Sequence, residues 1–467
     1  MIPFFPKQIS SRAIVVYLIA LMAVSVVFFD YAMSFGRIIL GIAFVMGFFL
    51  LTAHLSRTWS DIPEKSYVGY MFGLALALRL LWVIASYYYY IEVTGIPFEV
   101  NSADSLAYHL DASWLSTAPW SEALHYLFKP NAGVSDSGYP LYLTLIYKIF
   151  GPSVIIARLI KALLSTWTCV LLYCLASRTF GGQVGRMAGI MCALMPNLII
   201  YCGYHLKETE MLFLVVAFLE RTDYLMRMRQ YTIWNIAIPL LLAGSLFFFR
   251  TVLGAAAIFA YATSVLLANT PSMKKGWKRA AIISWSTLAV AVAAGSALMT
   301  EVEGYWEQRD SNVVQKRMAQ TISGNQWAKY ATGTVMAPMV MALPFATMVD
   351  VDNQVEQQTK SGGNYVRNFM AFFVILAIYE AFRQKKWRGF VLIGAFTVSY
   401  LGIISLSGFS NSERFLLPGL PGLICMWAYG VSELKESSFR FLTPWCFIVF
   451  LMDFGWAFFK LGSRGLF

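Results

Sequence analysis

Two kinds of residue in this chain could do chemistry beside a membrane: a carboxylate in a polar loop, and cations set into apolar surroundings. Asp104 lies in the polar stretch 101–112, which follows an apolar segment ending in four tyrosines at 87–90. Asp104, Tyr108 and Ala112 are spaced four apart, so on a short helix they share one face. A carboxylate there suits reaction chemistry. It equally suits capping of the helix start or plain solvation. The cations are Arg158, Lys161, Lys207, Arg250 and Arg414. Charges at membrane depth are costly and commonly functional. Several facing one cavity would hold a phosphate, with arginine able to grip it by two parallel hydrogen bonds. Alternatively, each reaches to lipid headgroups or pairs locally with Glu208, Glu210 or Glu413.

A third group is the run His205-Leu206-Lys207-Glu208-Thr209-Glu210, whose polar density is high for a short turn between spans. Glu208 and Glu210 are two apart and do not share a helix face. One is expected to face the cavity and the other the headgroups. Tyr108, His205, Glu208 and Glu210 are supporting candidates. The histidines 54, 109, 125 and 205 make no metal-ligand spacing, and no C-x-x-C pair is present. A divalent metal held by carboxylates such as Asp104 with Glu208 stays open but is not favoured, so no cofactor is expected. P-loop, G-x-G-x-x-G and G-x-S-x-G motifs are absent, which leaves ATP use and serine hydrolysis without motif support.

The elements that must position these residues are membrane helices. Of the 467 residues, 58% are hydrophobic and 13% charged, against roughly 25% charged in soluble domains. Apolar runs of about 20 residues recur along the length, and strand-like alternation is absent, so the fold class is an all-α polytopic membrane protein rather than a barrel. The net charge of +11 reads as cytoplasmic loop charge and not as nucleic-acid affinity. The six cysteines all lie in or beside apolar segments and read as small core residues. The run 13–29 after Lys7 and Arg12 is longer than a signal-peptide core of about 7–15 residues. It is expected to be a retained helix.

The candidate spans are 13–32, 36–55, 67–91, 154–178, 187–204, 209–226, 233–249, 251–269, 280–299, 366–383, 388–408, 415–432 and 441–459, about thirteen in all. With the N-terminus inside, every inner connection is basic, from Arg57 and Lys65 through Arg178, Arg186, Arg227 and Arg383 to Lys435. Alternation then puts a first outer loop at 92–153 and a second at 300–365. The first is net acidic, and its part 139–150 suits a helix lying in the interface. Within the second, 335–348 is apolar but short and holds Pro338 and Pro344, so it reads as re-entrant or interfacial. Arg37 and Arg367 read as headgroup anchors, and Arg79 falls inside the third span. Trp114, Trp120, Trp306 and Trp327 lie in the outer loops, as interface anchors or as rings to stack on sugars. One membrane domain, 1–467, is expected, with no linker and no repeat.

The order of features resembles the GT-C class of membrane glycosyltransferases, in the branch of protein mannosyltransferases and lipid A aminoarabinose transferases. The features are Asp104, Tyr108 and Ala112, then Gly138-Tyr139-Pro140-Leu141-Tyr142 and Phe150-Gly151. Ala157-Arg158-Leu159, Ala162-Leu163-Leu164, Pro196, Leu206-Lys207-Glu208 and Phe249-Arg250 follow. Glu413-Arg414-Phe415-Leu416-Leu417-Pro418-Gly419-Leu420-Pro421 comes last. The chain departs from the pattern in carrying Ser105 where many members have a second acid, and in two extra spans before the usual first one. The resemblance implies that Asp104 is general base on the acceptor and that the donor is a sugar on a polyprenyl phosphate. With the cations, it leads to an expected inverting transferase on the periplasmic face of a bacterial inner membrane. Arg250 and Arg414, with Arg158 or Lys207, would hold the donor phosphate. The acceptor would be a glycan, lipid or protein, recognised by 300–365. Its rivals are an O-antigen polymerase or ligase, and a lipid-linked sugar flippase or transporter; internal repeats, common in transporters, are absent.

Overall fold

The computed structural model describes residues 4–126, 135–228, 232–267, 339–351, 354–406, 412–462 and 465–466. The helices are α1 (Lys7–Val27), α2 (Phe35–Thr58), α3 (Glu64–Thr94), α4 (Ala103–Thr117), α5 (Trp120–Tyr126) and α6 (Gly138–Phe150). Next come α7 (Val154–Phe180), α8 (Gly182–Leu194), α9 (Pro196–Ile200), α10 (Glu208–Met228), α11 (Ile233–Phe249) and α12 (Thr251–Leu267). After 339–351 follow α13 (Val355–Thr359), α14 (Ser361–Arg383), α15 (Val391–Leu406), α16 (Glu413–Leu416), α17 (Leu420–Ser432) and α18 (Glu436–Gly462).

Among the described residues, eight helices are long and apolar enough to cross a membrane, or nine if the bent pair α8–α9 is one span. This is a multi-pass, all-α membrane protein. The described residues do not confirm the expected count of about thirteen. The span expected at 280–299 lies outside the described residues. Helices α11 and α12 have only 17 residues each, and α10 carries Glu208, Glu210, Glu220, Arg221, Asp223 and Arg227.

The bundle is layered around α17. In the span Glu413–Ser432, 94% of the apolar window is buried inside the protein, against 22% for α3. The polar site is built at the start of this central span, where lipid is excluded, and α3 presents much of its surface outward. Close packing on α14 requires a small residue at Gly430, because a Cβ there would lie 2.1 Å from the Phe373 carbonyl oxygen. The first helix belongs to the bundle too. Ile9, Ala13, Tyr17, Ala20 and Val24 are buried, and the Tyr17 ring packs on Tyr365 of α14 at 4.8 Å.

The break between α8 and α9 bends the chain by 51° and leaves carbonyls of the last turn of α8 without helical partners. Arg79 of α3 supplies them. Its guanidinium donates to the carbonyls of Cys192 (3.3 Å) and Ala193 (3.1 Å) and to Ser165 Oγ (2.7 Å). The role of this mid-span charge is therefore to hold a broken helix against α3 and α7.

The apolar stretch expected to be re-entrant is described from residue 339. Residues 341–351 contain no helix and are nearly all buried. Irregular backbone at membrane depth is tolerated where protein satisfies its polar groups. Here Asn368 donates to the Pro344 carbonyl (3.0 Å) and, more closely, to that of Ala342. The Ala346 N–H donates to Asn368 Oδ1 and Asp453 Oδ1. Lys460 Nζ donates to Thr347 Oγ1 (2.7 Å).

Candidate active site

The chain repeatedly comes back to one end of the bundle. The α3–α4 connection, the starts of α7, α10, α14 and α16, and the α11–α12 junction meet there. The opposite end gathers most of the expected inner-loop charges. Arg178 pairs with Glu220 and Asp223, Arg227 with Asp223, and both Arg383 and Lys435 with Glu380. Two faces of different character result, each assembled from residues far apart in sequence.

Asp104 lies in the first turn of α4, and its carboxylate does not cap that helix. The N-cap position is Ser102, which makes no side-chain cap. Asp104 Oδ2 instead accepts a hydrogen bond from Arg414 Nη1 at the start of α16. The Arg414 Nε donates to Glu208 Oε1 at the start of α10. Glu208 is fully buried, whereas the Asp104 side chain keeps 54% of its exposure. Arg250 Nη2 stands 4.0 Å from the same Glu208 oxygen. It is held there by a hydrogen bond to the Tyr400 hydroxyl (3.2 Å) and by packing over the Phe415 ring (4.3 Å). Lys207 donates to the Phe249 carbonyl (2.9 Å) and pairs with Asp136. Tyr108 packs edge-on against Tyr139, with centroids 5.1 Å apart. Burial and the neighbouring Glu208 push its hydroxyl well above the ordinary phenol range, so it stays protonated.

The centre thus holds three cations, Lys207, Arg250 and Arg414, against three carboxylates, Asp104, Asp136 and Glu208. Buried charges cost several kcal/mol each unless paired and hydrogen-bonded, and this pairing meets that cost. Asp104 and Asp136 both remain exposed, and it is at Asp104 that a ligand could compete for Arg414.

Arg158 does not join this centre. It is fully buried on α7, with Nη2 3.7 Å from Glu99 Oε2. Glu99 also accepts from Ser105 Oγ and from the His205 N–H (3.4 Å). Lys161, one turn along α7, faces Glu210 at 3.6 Å and donates to the Tyr204 carbonyl (2.8 Å). The expectation that one of Glu208 and Glu210 faces headgroups is corrected. Both are buried, because α7 flanks the start of α10 on one side and α16 on the other. Arg367 is corrected likewise. It is buried against the Val340 carbonyl and does not anchor headgroups. Arg37 pairs with Asp350 at 3.4 Å.

His205 is fully buried, with Nε2 3.1 Å from the Tyr147 hydroxyl, which also lies 2.8 Å from His109 Nδ1. Burial lowers the basicity of both imidazoles, His205 further because Lys161 and Arg158 stand beside it. The three rings pin α4, α6 and the entry to α10 together. Trp114 and Trp120 are half exposed, with Lys148 over the Trp120 ring at 5.0 Å. Trp306 and Trp327 lie outside the described residues, as does most of the loop 300–365.

Four polar residues at this end were not singled out by spacing. Glu99 ties Arg158 to Ser105. Glu356 accepts from the Asn101 N–H (3.0 Å). Lys360 faces Glu413 (3.7 Å), and Asn197 donates to Asn364 (2.9 Å) and to Glu413. Gly363 is required beside this group, because a Cβ there would fall 1.5 Å from Asn197 Oδ1. These contacts bring the end of the second outer loop against the start of α4. Glu413 was legible only as the neighbour of Arg414, and Lys360 carried no local signal.

Among the described residues no cluster of three or more His, Cys, Asp or Glu is close enough to hold a metal ion. Asp104 and Glu208, the carboxylates considered for one, both turn to Arg414. No protein-family model matches the chain, and no curated protein is significantly similar to it.

Proposed function

We propose that this protein is an inverting glycosyltransferase that moves a single sugar from a polyprenyl-phosphate donor to an acceptor on the outer face of a bacterial inner membrane. The observation that carries the reading is the convergence of Asp104 and Glu208 on Arg414, with Arg250 on the far side of Glu208. One carboxylate that is partly exposed and two arginines lie at the polar end of a lipid-facing bundle. That combination suits a reaction between a lipid phosphate and a hydroxyl or amine. The resemblance in feature order supports the same assignment.

The donor phosphate takes the place of Asp104 on Arg414 and is gripped also by Arg250, with Lys207 beside it. The displaced Asp104 is then a free base. The acceptor O–H or N–H gives its proton to Asp104 as its lone pair attacks the anomeric carbon. The bond from that carbon to the phosphate oxygen breaks, and its electron pair leaves with the polyprenyl phosphate. Arg250 and Arg414 stabilise the charge that develops there. Attack opposite the leaving group inverts the anomeric centre. No metal or cofactor is invoked.

The test is reconstitution in liposomes with polyprenyl-phosphate monosaccharides and a pool of glycan, lipid and protein acceptors. Transfer of the sugar with release of polyprenyl phosphate is the expected result. Transfer only from oligosaccharides on a pyrophosphate carrier would favour a polymerase or ligase. Movement of the donor between leaflets without transfer would favour a flippase.

A further inference from the structure

Arg79 and Arg158 are two fully buried arginines of this bundle, and their surroundings differ. The guanidinium of Arg79 hydrogen-bonds to three backbone carbonyls and to Ser165. The guanidinium of Arg158 makes no hydrogen bond among the described residues through Nε, Nη1 or Nη2. A guanidinium carries five N–H donors, and leaving buried donors unmet is strongly unfavourable. Arg79 is what a structural arginine looks like in this fold. Arg158 keeps donors that no described residue meets, with Glu99 at ion-pair distance only.

What binds is constrained by charge. Glu99 stands 3.7 Å from Arg158 Nη2 and is itself fixed by Ser105 Oγ and the His205 N–H. Among the described residues Arg158 is the one cation that faces Glu99, whereas Arg250 and Arg414 both face Glu208, so a phosphate on Arg158 would meet a carboxylate with no second cation to offset it. An uncharged group bearing hydroxyls would not: it can accept from the guanidinium and donate to Glu99 Oε2. The Tyr90 ring lies 6.0 Å from the guanidinium and gives the same place an aromatic wall. Asp104 and Ser105 are consecutive residues in the first turn of α4. The first meets Arg414, and the second meets Glu99 and so Arg158. The two centres therefore flank one helix start, one suited to an anion and the other to a neutral polyol.

Resting on the transferase reading above, we propose that Arg158 and Glu99 bind the hydroxyls of the sugar being transferred, and that Arg158 takes no part in holding the donor phosphate.

The experiment compares binding of tritiated undecaprenyl phosphate with that of undecaprenyl-phosphate glucose, galactose, mannose and aminoarabinose, by wild type and Arg158→Gln. The variant is expected to bind undecaprenyl phosphate as wild type does. It should bind the preferred sugar-bearing lipid about ten- to a hundredfold more weakly, the usual range for lost hydrogen bonds to a charged group. Retained binding of the bare lipid phosphate also shows that the variant is folded. Arg158→Lys, which keeps the charge but not the fork, is expected to give the same selective loss and serves if Arg158→Gln does not fold. Equal weakening for all lipids would put Arg158 on the phosphate, and no weakening would mean that enclosed water satisfies it. Either result overturns the assignment. Failure of the wild type to bind any of these lipids would sink the transferase reading itself, and this inference with it.

Discussion

At the scale of single residues, Arg414 decides how the site is read. It donates one hydrogen bond to the exposed Asp104 and one to the buried Glu208. Arg414→Lys keeps a cation for Glu208 but loses the planar fork. Donor binding is expected to weaken about tenfold, measured by titration with undecaprenyl-phosphate sugars, and the protein to remain folded. Unchanged donor affinity would remove Arg414 from the phosphate site. Its neighbours differ in how far the sequence disclosed them. Lys207, Arg250 and Arg414 were found because cations ran against the topology expected of outer helix ends, Asp104 from its place in a polar loop beside a span, and Glu208 from the polar density of the turn 205–210. Glu99 and Lys360 were not. Their partners, Arg158 and Glu413, lie dozens of residues away, and nothing local marks a glutamate in an acidic loop as buried. The expectation that one of Glu208 and Glu210 faces headgroups failed because two-apart spacing separates helix faces but does not say that lipid covers the second one.

At the scale of elements, the joint between α4, α6 and the entry to α10 is expected to sense pH. His109 and His205 flank the Tyr147 hydroxyl, and burial holds both imidazoles below their ordinary value of 6.5. Above that value both rings are neutral whether the chain is folded or unfolded. As pH falls through it, the unfolded chain takes up protons that the folded joint refuses, so stability is lost on the acid side. Thermal unfolding in detergent is expected to shift to lower temperature between about pH 7 and pH 5. The shift should be smaller in His205→Gln. A variant with the full wild-type pH dependence would show that these rings are not the source. The helix α6 was legible from its apolar pattern. The three-ring joint was not, since residues 109, 147 and 205 share no spacing. The break at Pro196 was absorbed into one expected span, 187–204, because proline is compatible with a continuous apolar run until its lost carbonyl partners are counted.

At the scale of the whole molecule, all-α membrane architecture followed from apolar runs alone, and most helices fall where those runs predict them. The count was less secure. Charged α10 and the 17-residue α11 and α12 lack the length or apolarity of a self-evident span. The two-ended arrangement of charge makes a direct prediction. Asp104, Arg250 and Arg414 share one end, and Arg178, Glu220 and Lys435 the other. In a cysteine-free background, Ser102→Cys is expected to react with an impermeant maleimide added outside cells. Lys385→Cys should react only after permeabilisation. Labelling of both from one side would overturn the topology.

The central claim is that Asp104 takes the acceptor proton once the donor phosphate has displaced it from Arg414. Its most direct test is a single-turnover measurement of polyprenyl-phosphate release by wild type and Asp104→Asn, with donor binding followed in the same samples. The asparagine variant is expected to bind donor at least as well, having lost a competitor for Arg414, and to release product at least about a hundredfold more slowly, as for loss of a general base. Release at the wild-type rate from Asp104→Asn would contradict the account.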